Sequence, residues 1–209
     1  MNVYHFLYKS LRRLFLGPIY RVEVTGLENI PEDGPVILCC NHTAMLDVAV
    51  LAAASPRQIR FMAKKEAFKM PILGKLMAAC GAFPVDRAGM DVGAIKKGIN
   101  VLSQGEVMGI FPQGTRCPYV HPETTCEKLH NGMAMIAVRA KATLVPVCIE
   151  TDAHKLKLFK KTRMRVGKPI PYEEYTQSGS GKDRYPAITQ EAFRRVCALY
   201  DESRREQGR

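Results

Sequence analysis

No stretch of the chain approaches the roughly 18–20 uninterrupted apolar residues that a helix needs to cross a bilayer. The N-terminus lacks the clean apolar core and small-residue cleavage site of a secretory signal. These two absences argue against an integral helical protein and an exported one, and the expectation is a cytoplasmic protein. Cysteine occurs seven times, an odd number, and no pair is spaced C-x-x-C. Cys39, Cys40 and Cys148 fall in apolar runs, where a free thiol behaves as a small core residue and suits a reducing compartment. Cys117, His121, Cys126 and His130 are close together, yet their spacings match none of the usual zinc frames, so no metal is expected. Ser178 to Lys182 has part of a phosphate-loop pattern. It lacks the first glycine at the required spacing, and Asp183 replaces the Ser/Thr, which excludes nucleotide binding there. Aromatic residues are too few and too scattered between basic ones to form stacking platforms, which argues against nucleic acid. Nothing repeats internally, and no segment reads as a linker.

What is present is an ordinary globular composition, 46% hydrophobic and 24% charged over 209 residues, with a net charge of +11. This length suits one domain with a substantial core. Composition alone lets the positive balance favour any acidic partner: nucleic acid, an anionic membrane surface or a phosphorylated substrate. Residues 1–16 are patterned as a helix. Val3, Leu7, Leu11 and Leu14 form one stripe, widened by Tyr4, Tyr8 and Phe15, while His5, Lys9, Arg12 and Arg13 fall opposite. Gly17-Pro18 ends it. Two readings fit: a helix lying in a membrane interface, and a terminal helix packed on the domain. The aromatic content and basic back favour the first, and residues 1–18 are set apart as an amphipathic, membrane-contacting helix.

Beyond it, strand and helix patterns alternate. Strands are expected at 20–25, 36–40, 59–63, 81–87, 107–111 and 143–150. Helices are expected at 45–54, 71–80, 91–104, 131–141 and, in the charged tail, 187–207. This order predicts an α/β fold, a single domain with a mixed, largely parallel central sheet flanked by helices. Pro146 marks its strand as an edge or a bulge. The basic stretch 154–165 reads as a solvated hairpin or loop, and 175–185 as a loop.

Three strand exits carry chemistry. The first leads into Asn41-His42-Thr43-Ala44-Met45-Leu46-Asp47, which reads equally as a base oriented by a carboxylate or as a helix N-terminus with a locally paired aspartate. The second ends in Arg87. The third runs into Pro112-Gln113-Gly114-Thr115-Arg116, where Gly114 lets backbone N–H groups approach an anion and Arg116 supplies a bidentate fork. A polar turn with a solvated arginine has the same sequence. If the strands share one direction, His42, Arg87 and Arg116 converge on one mouth.

At this point the chain resembles the glycerolipid acyltransferases, most closely those acting on 1-acylglycerol 3-phosphate. Asn41-His42 through Asp47 fits their N-H-x-x-x-x-D block, and Gly81 through Arg87, with Phe83, fits the second. Phe111 through Arg116 fits the third, and Val145-Pro146-Val147 the fourth. Ala63-Lys64-Lys65-Glu66, with Pro71 and Gly74, is also similar, so the likeness spans residues 20–170. The resemblance implies an acyltransferase domain over 19–209 that acylates the sn-2 hydroxyl of lysophosphatidic acid to form phosphatidic acid. The donor would be acyl-CoA or an acylated acyl carrier protein, with no cofactor. His42 would be the general base and Asp47 its orienting partner. Gln113, Gly114, Thr115 and Arg116, with Lys64 and Arg87, would hold the acceptor, supported by Asn41, Phe83, Val145 and Pro146. The acceptor alcohol would itself be the nucleophile, in keeping with the lack of a G-x-S-x-G elbow. The place of action would be the cytoplasmic face of the cell membrane, on its anionic surface. One residue departs from the pattern: the family usually has glutamate where Gln113 stands. The alternatives this leaves are another lysophospholipid or polyol acceptor, or a non-catalytic binder of anionic lipid.

Overall fold

Val36–Cys40 is buried at every position, the signature of a strand covered by helices on both faces. Val107–Ile110 shares that pattern, and the two pair in parallel at the centre of the molecule. The computed structural model describes residues 10, 12–15, 17, 20–86, 91–117, 129–151, 159–177 and 184–208. Its strands are β1 (Val22–Thr25), β2 (Val36–Cys40), β3 (Ile59–Lys64), β4 (Phe83–Val85), β5 (Val107–Ile110), β6 (Thr143–Thr151) and β7 (Thr162–Val166). The helices are α1 (Asp47–Ala54), α2 (Leu73–Ala79), α3 (Val92–Ser103), α4 (Gly132–Ala140), α5 (Tyr172–Thr176) and α6 (Arg184–Glu206).

All seven strands join one sheet in the order β1-β7-β6-β2-β5-β3-β4. Strands β6, β2, β5, β3 and β4 run parallel to one another, β7 is antiparallel to β6, and β1 is parallel to β7. The single α/β domain with a largely parallel sheet matches the expectation from sequence. Two apolar cores sandwich the sheet. Ile37 and Cys39 face one, with α3, α4 and α6; Val36, Leu38 and Cys40 face the other, with α1 and Phe15. Connections out of the two central strands diverge. From β2 the chain crosses to β3 through α1 on one face, and from β5 it crosses to β6 through α4 on the other. Their carboxyl ends therefore flank a topological switch point, where an open parallel sheet leaves a crevice.

The edge alternative for Pro146 is corrected, because β6 lies between β7 and β2. The proline is tolerated inside the sheet because its missing N–H faces the point where the chain is leaving β7. There Gly167 donates its N–H to the Pro146 carbonyl at 2.8 Å. Pairing shifts by one residue between Val147↔Val166 and Leu144↔Ile170, so the irregularity lies on the returning strand. The basic stretch contributes a true strand at its end, β7, and the expected loop at 175–185 is shortened by the end of α5 and the start of α6. Of the N-terminal helix, Ser10 and Arg12–Phe15 are described and helical. Phe15 is buried and stacks on Tyr20 with ring centroids 4.8 Å apart.

Candidate active site

The chain leaving β2 is fastened before it reaches its histidine. Asn41 is buried, and its side-chain amide pairs with the backbone of β6 as a peptide would: Nδ2 donates to the Ile149 carbonyl at 2.9 Å and Oδ1 accepts the Ile149 N–H at 2.8 Å. His42 follows. Its backbone N–H donates to Gln113 Oε1 at 2.6 Å, and its carbonyl accepts the Cys117 N–H at 2.8 Å. Both main-chain groups of His42 are thus held by the segment leaving β5.

Asp47 is fully buried at the first position of α1. It does not cap its own helix. Its Oδ2 instead reaches back to accept the Thr43 N–H at 2.6 Å, the Ala44 N–H at 2.7 Å and His42 Nδ1 at 3.0 Å. An oxygen already accepting two backbone N–H groups presents only lone pairs to the ring, which places the imidazole proton on Nδ1. The other ring nitrogen, Nε2, is left as the acceptor. The imidazole lies against the Phe111 ring at 4.3 Å between centroids, with planes 26° apart, and Phe61 backs Phe111 at 6.4 Å.

His42 lines a cavity of about 590 Å³. Met62, Ile95, Ile110, Phe111, Met133 and Ile136 supply much of its wall, and Asp86 and Asp91 lie at one side. Asp91 caps α3 through the Ala94 N–H at 2.8 Å and also accepts the Asp86 N–H at 2.8 Å. Those backbone donors, that of Asp86 foremost, hold the Asp91 carboxyl below the ordinary carboxylate range. Gly114 turns the chain at φ 66°, and a side chain there would collide with the His130 ring, whose Cδ2 lies 2.4 Å from the Cβ position.

The residues singled out from sequence divide into three groups. His42, Asp47 and Gln113 form one bonded cluster, with Gly114 beside them on the cavity wall and Asn41 bonded away from them to β6. Gln113 is buried and its carbonyl is turned inward to the His42 backbone. Lys64, Thr115 and Arg116 are exposed on the rim, and Lys64 stands 3.9 Å from Glu66. Val145 and Pro146 are buried inside the sheet, and Phe83 is buried at the start of the edge strand β4. Arg87 lies outside the described residues, as do His121 and Cys126 of the Cys/His cluster. Sequence reasoning missed the Phe111 shelf beneath the imidazole and the packing of His130 on Gly114, neither of which has a local signature.

The family model described as Acyltransferase matches residues 21–150. The chain belongs to the acyltransferase family. It is 35% identical over 181 residues to the 1-acyl-sn-glycerol-3-phosphate acyltransferase of Bacillus subtilis, covering 85% of this chain and 87% of that protein. A protein of the same description from Streptococcus pneumoniae is 35% identical over 148 residues, covering 68% of this chain and 53% of its own length. In fold, the chain matches the crystal structure of the 1-acyl-sn-glycerophosphate acyltransferase of Thermotoga maritima with a TM-score of 0.75 and 22% identity, over 97% of this chain and 80% of that one. Among the described residues, no helix of this acyltransferase is long and apolar enough to cross a membrane.

The aromatic shelf gives a direct test of the packing behind the site. A Cβ on Gly109 would sit 2.3 Å from Phe61 Cε1, a clash with a buried, stiff ring. Gly109→Ala is expected to lower unfolding stability by about 1–3 kcal/mol through overpacking. Pairing it with Phe61→Leu should recover part of that loss, as urea titration of the single and double variants would measure.

Proposed function

We propose that the chain moves a fatty acyl group from a thioester, on CoA or an acyl carrier protein, to the sn-2 hydroxyl of 1-acyl-sn-glycerol 3-phosphate. The reading is carried by the His42–Asp47 pair, whose free Nε2 belongs to a ring that lines a largely apolar cavity. The substrate named for the Bacillus and Streptococcus relatives supports the choice of acceptor.

In this mechanism Nε2 accepts the proton of the acceptor hydroxyl as its oxygen attacks the thioester carbonyl carbon. The tetrahedral intermediate collapses by breaking the carbon–sulfur bond, and the departing sulfur takes the proton from the imidazolium. Asp47 stabilises that transient cation and fixes the tautomer that precedes it. No acyl-enzyme forms. The apolar wall from Met62 to Ile136 accommodates an acyl chain, and Arg116 takes the acceptor phosphate as a fork, with Lys64 and Arg87 as further phosphate contacts. The enzyme works as a peripheral protein on the anionic cytoplasmic face of the membrane. Its net charge of +11 and the exposed Arg12 and Arg13 suit such a surface.

Formation of phosphatidic acid from lysophosphatidic acid and acyl-CoA or acylated carrier protein tests the reading directly. Arg116→Ala should raise the acceptor KM about tenfold while kcat changes little, because phosphate binding is shared by ground and transition states. An unchanged KM would remove Arg116 from the phosphate site. Absence of product with every donor would leave only lipid binding.

A further inference from the structure

Large apolar side chains exposed singly and at random need no explanation, but those of this chain are not placed at random. Among the described residues the exposed ones are Leu14, Met45, Met70, Ile72, Val92 and Phe159. Met45 lies in the connection leaving β2, Met70 and Ile72 in that leaving β3, Val92 in that leaving β4, and Phe159 in that leaving β6. Those four strands are mutually parallel, so all four connections emerge on the rim that carries His42. Leu14 precedes β1, whose first residue pairs with Thr162 at the start of β7, next to the end of β6. The exposure is large where it matters: 83% at Ile72, 68% at Phe159 and 66% at Met45.

Cations stand among these apolar side chains. Exposed or half-buried Lys64, Lys65, Lys69, Arg116, Lys160 and Lys161 lie on this rim, where Lys64, Lys65 and Lys161 are paired with Glu66, Asp86 and Glu23, and Asp91 is a further acid. The opposite rim holds Glu32, Asp33 and Glu106 together with Arg57, Arg60, Lys141 and Lys168, and none of the exposed large apolar side chains. Protruding apolar side chains among cations are the pattern of a surface that enters the headgroup region of an anionic bilayer.

We propose that this rim, with Ile72 and Met70 as its leading point, is a bilayer-docking surface that seats the mouth of the His42 cavity on the lipid. The inference takes its purpose from the proposed reaction, since a lipid acceptor must pass from the bilayer to the cavity without crossing water. It adds a contact separate from the N-terminal helix, built from the connections that form the site.

The chain has no tryptophan, so one introduced indole reports on one place. In the full chain, Ile72→Trp and Val92→Trp are compared with Gln104→Trp, an exposed position on the opposite rim. With vesicles of equal parts phosphatidylcholine and phosphatidylglycerol, the first two should shift emission to shorter wavelength and resist iodide quenching, and the third should keep its aqueous spectrum. Ile72→Asp should weaken vesicle partition about tenfold. Aqueous spectra for both rim variants on sedimented vesicles would overturn the proposal, as would no sedimentation at all, or a shift produced by acidic carrier protein instead of vesicles. No turnover enters these readings, so failure of acyl transfer and failure of docking are separately visible.

Discussion

Asp47→Asn is expected to lower kcat by about 10³–10⁴-fold while leaving the protein folded, the loss that wrong-tautomer variants show in other His–carboxylate pairs. The reason is local. Oδ2 accepts from the Thr43 and Ala44 N–H groups and from His42 Nδ1, and an amide can keep at most some of these bonds. If its oxygen stays on the backbone, the ring loses its proton acceptor; if its nitrogen turns inward, two N–H groups face a donor. Asp47→Ala goes further, because the site is fully buried and both backbone donors are orphaned. It should cost about 2–6 kcal/mol of stability at roughly 1–3 kcal/mol per group, as well as the activity. His42→Ala gives the complementary pattern. Its ring faces the cavity, and Asp47 keeps the Thr43 and Ala44 N–H groups without it, so stability should change by about 1 kcal/mol, but thiol release in the presence of lysophosphatidic acid should fall to background. Thiol-release kinetics and urea titrations on the three variants separate the roles. Wild-type kcat in Asp47→Asn would reduce Asp47 to a staple for the loop.

The contrast between these variants also shows what the sequence could carry. The alternation of apolar runs placed β2 and β5 and their helices, because burial on both faces leaves a continuous apolar pattern. The His/Asp spacing was legible as a pair, and one carboxylate oxygen holds both the imidazole and the loop N–H groups, a geometry that serves either reading of it. Which way a side chain points at a strand exit was not legible. Gln113 sits in a turn whose direction is set by Gly114 at φ 66°, and a cradle for phosphate and an inward brace have the same residues. Asn41 presents the same problem over distance: its partner Ile149 is far along the chain, and nothing near Asn41 specifies β6. The interior position of Pro146 depends on a slip in the strand returning beside it, which no property of Thr143–Thr151 encodes. Exposure of Met70 and Ile72 was equally hidden, since an apolar helical stretch reads as core until the packing is known.

Gln113 is where the second large effect is expected. Gln113→Leu keeps the volume and removes the acceptor for the His42 N–H, whose bond is 2.6 Å long. Loss of that brace should lower stability by about 1–3 kcal/mol. It should also lower kcat by about 10²-fold, because a base displaced by roughly 1 Å loses its line to the hydroxyl. Gln113→Glu restores the residue usual in the family and keeps an oxygen for the same N–H, so kcat at its optimum should stay near wild type. What changes is charge. A carboxylate this close to His42 favours the imidazolium, so the acid limb of kcat/KM should move to higher pH by about one unit, the effect of a charge within roughly 10 Å at an effective dielectric of about 20. Stability shifts the other way. Burial raises the folded-state pKa of the new carboxyl above its unfolded value of about 4.3. Between those two values the folded chain holds more protons than the unfolded one, so stability falls as pH rises through that window and stays lower above it. A panel of acceptors run on both variants completes the argument. An acid limb that stays in place, with kcat/KM for lysophosphatidic acid rising against other acceptors, would put residue 113 on the substrate and not behind the histidine.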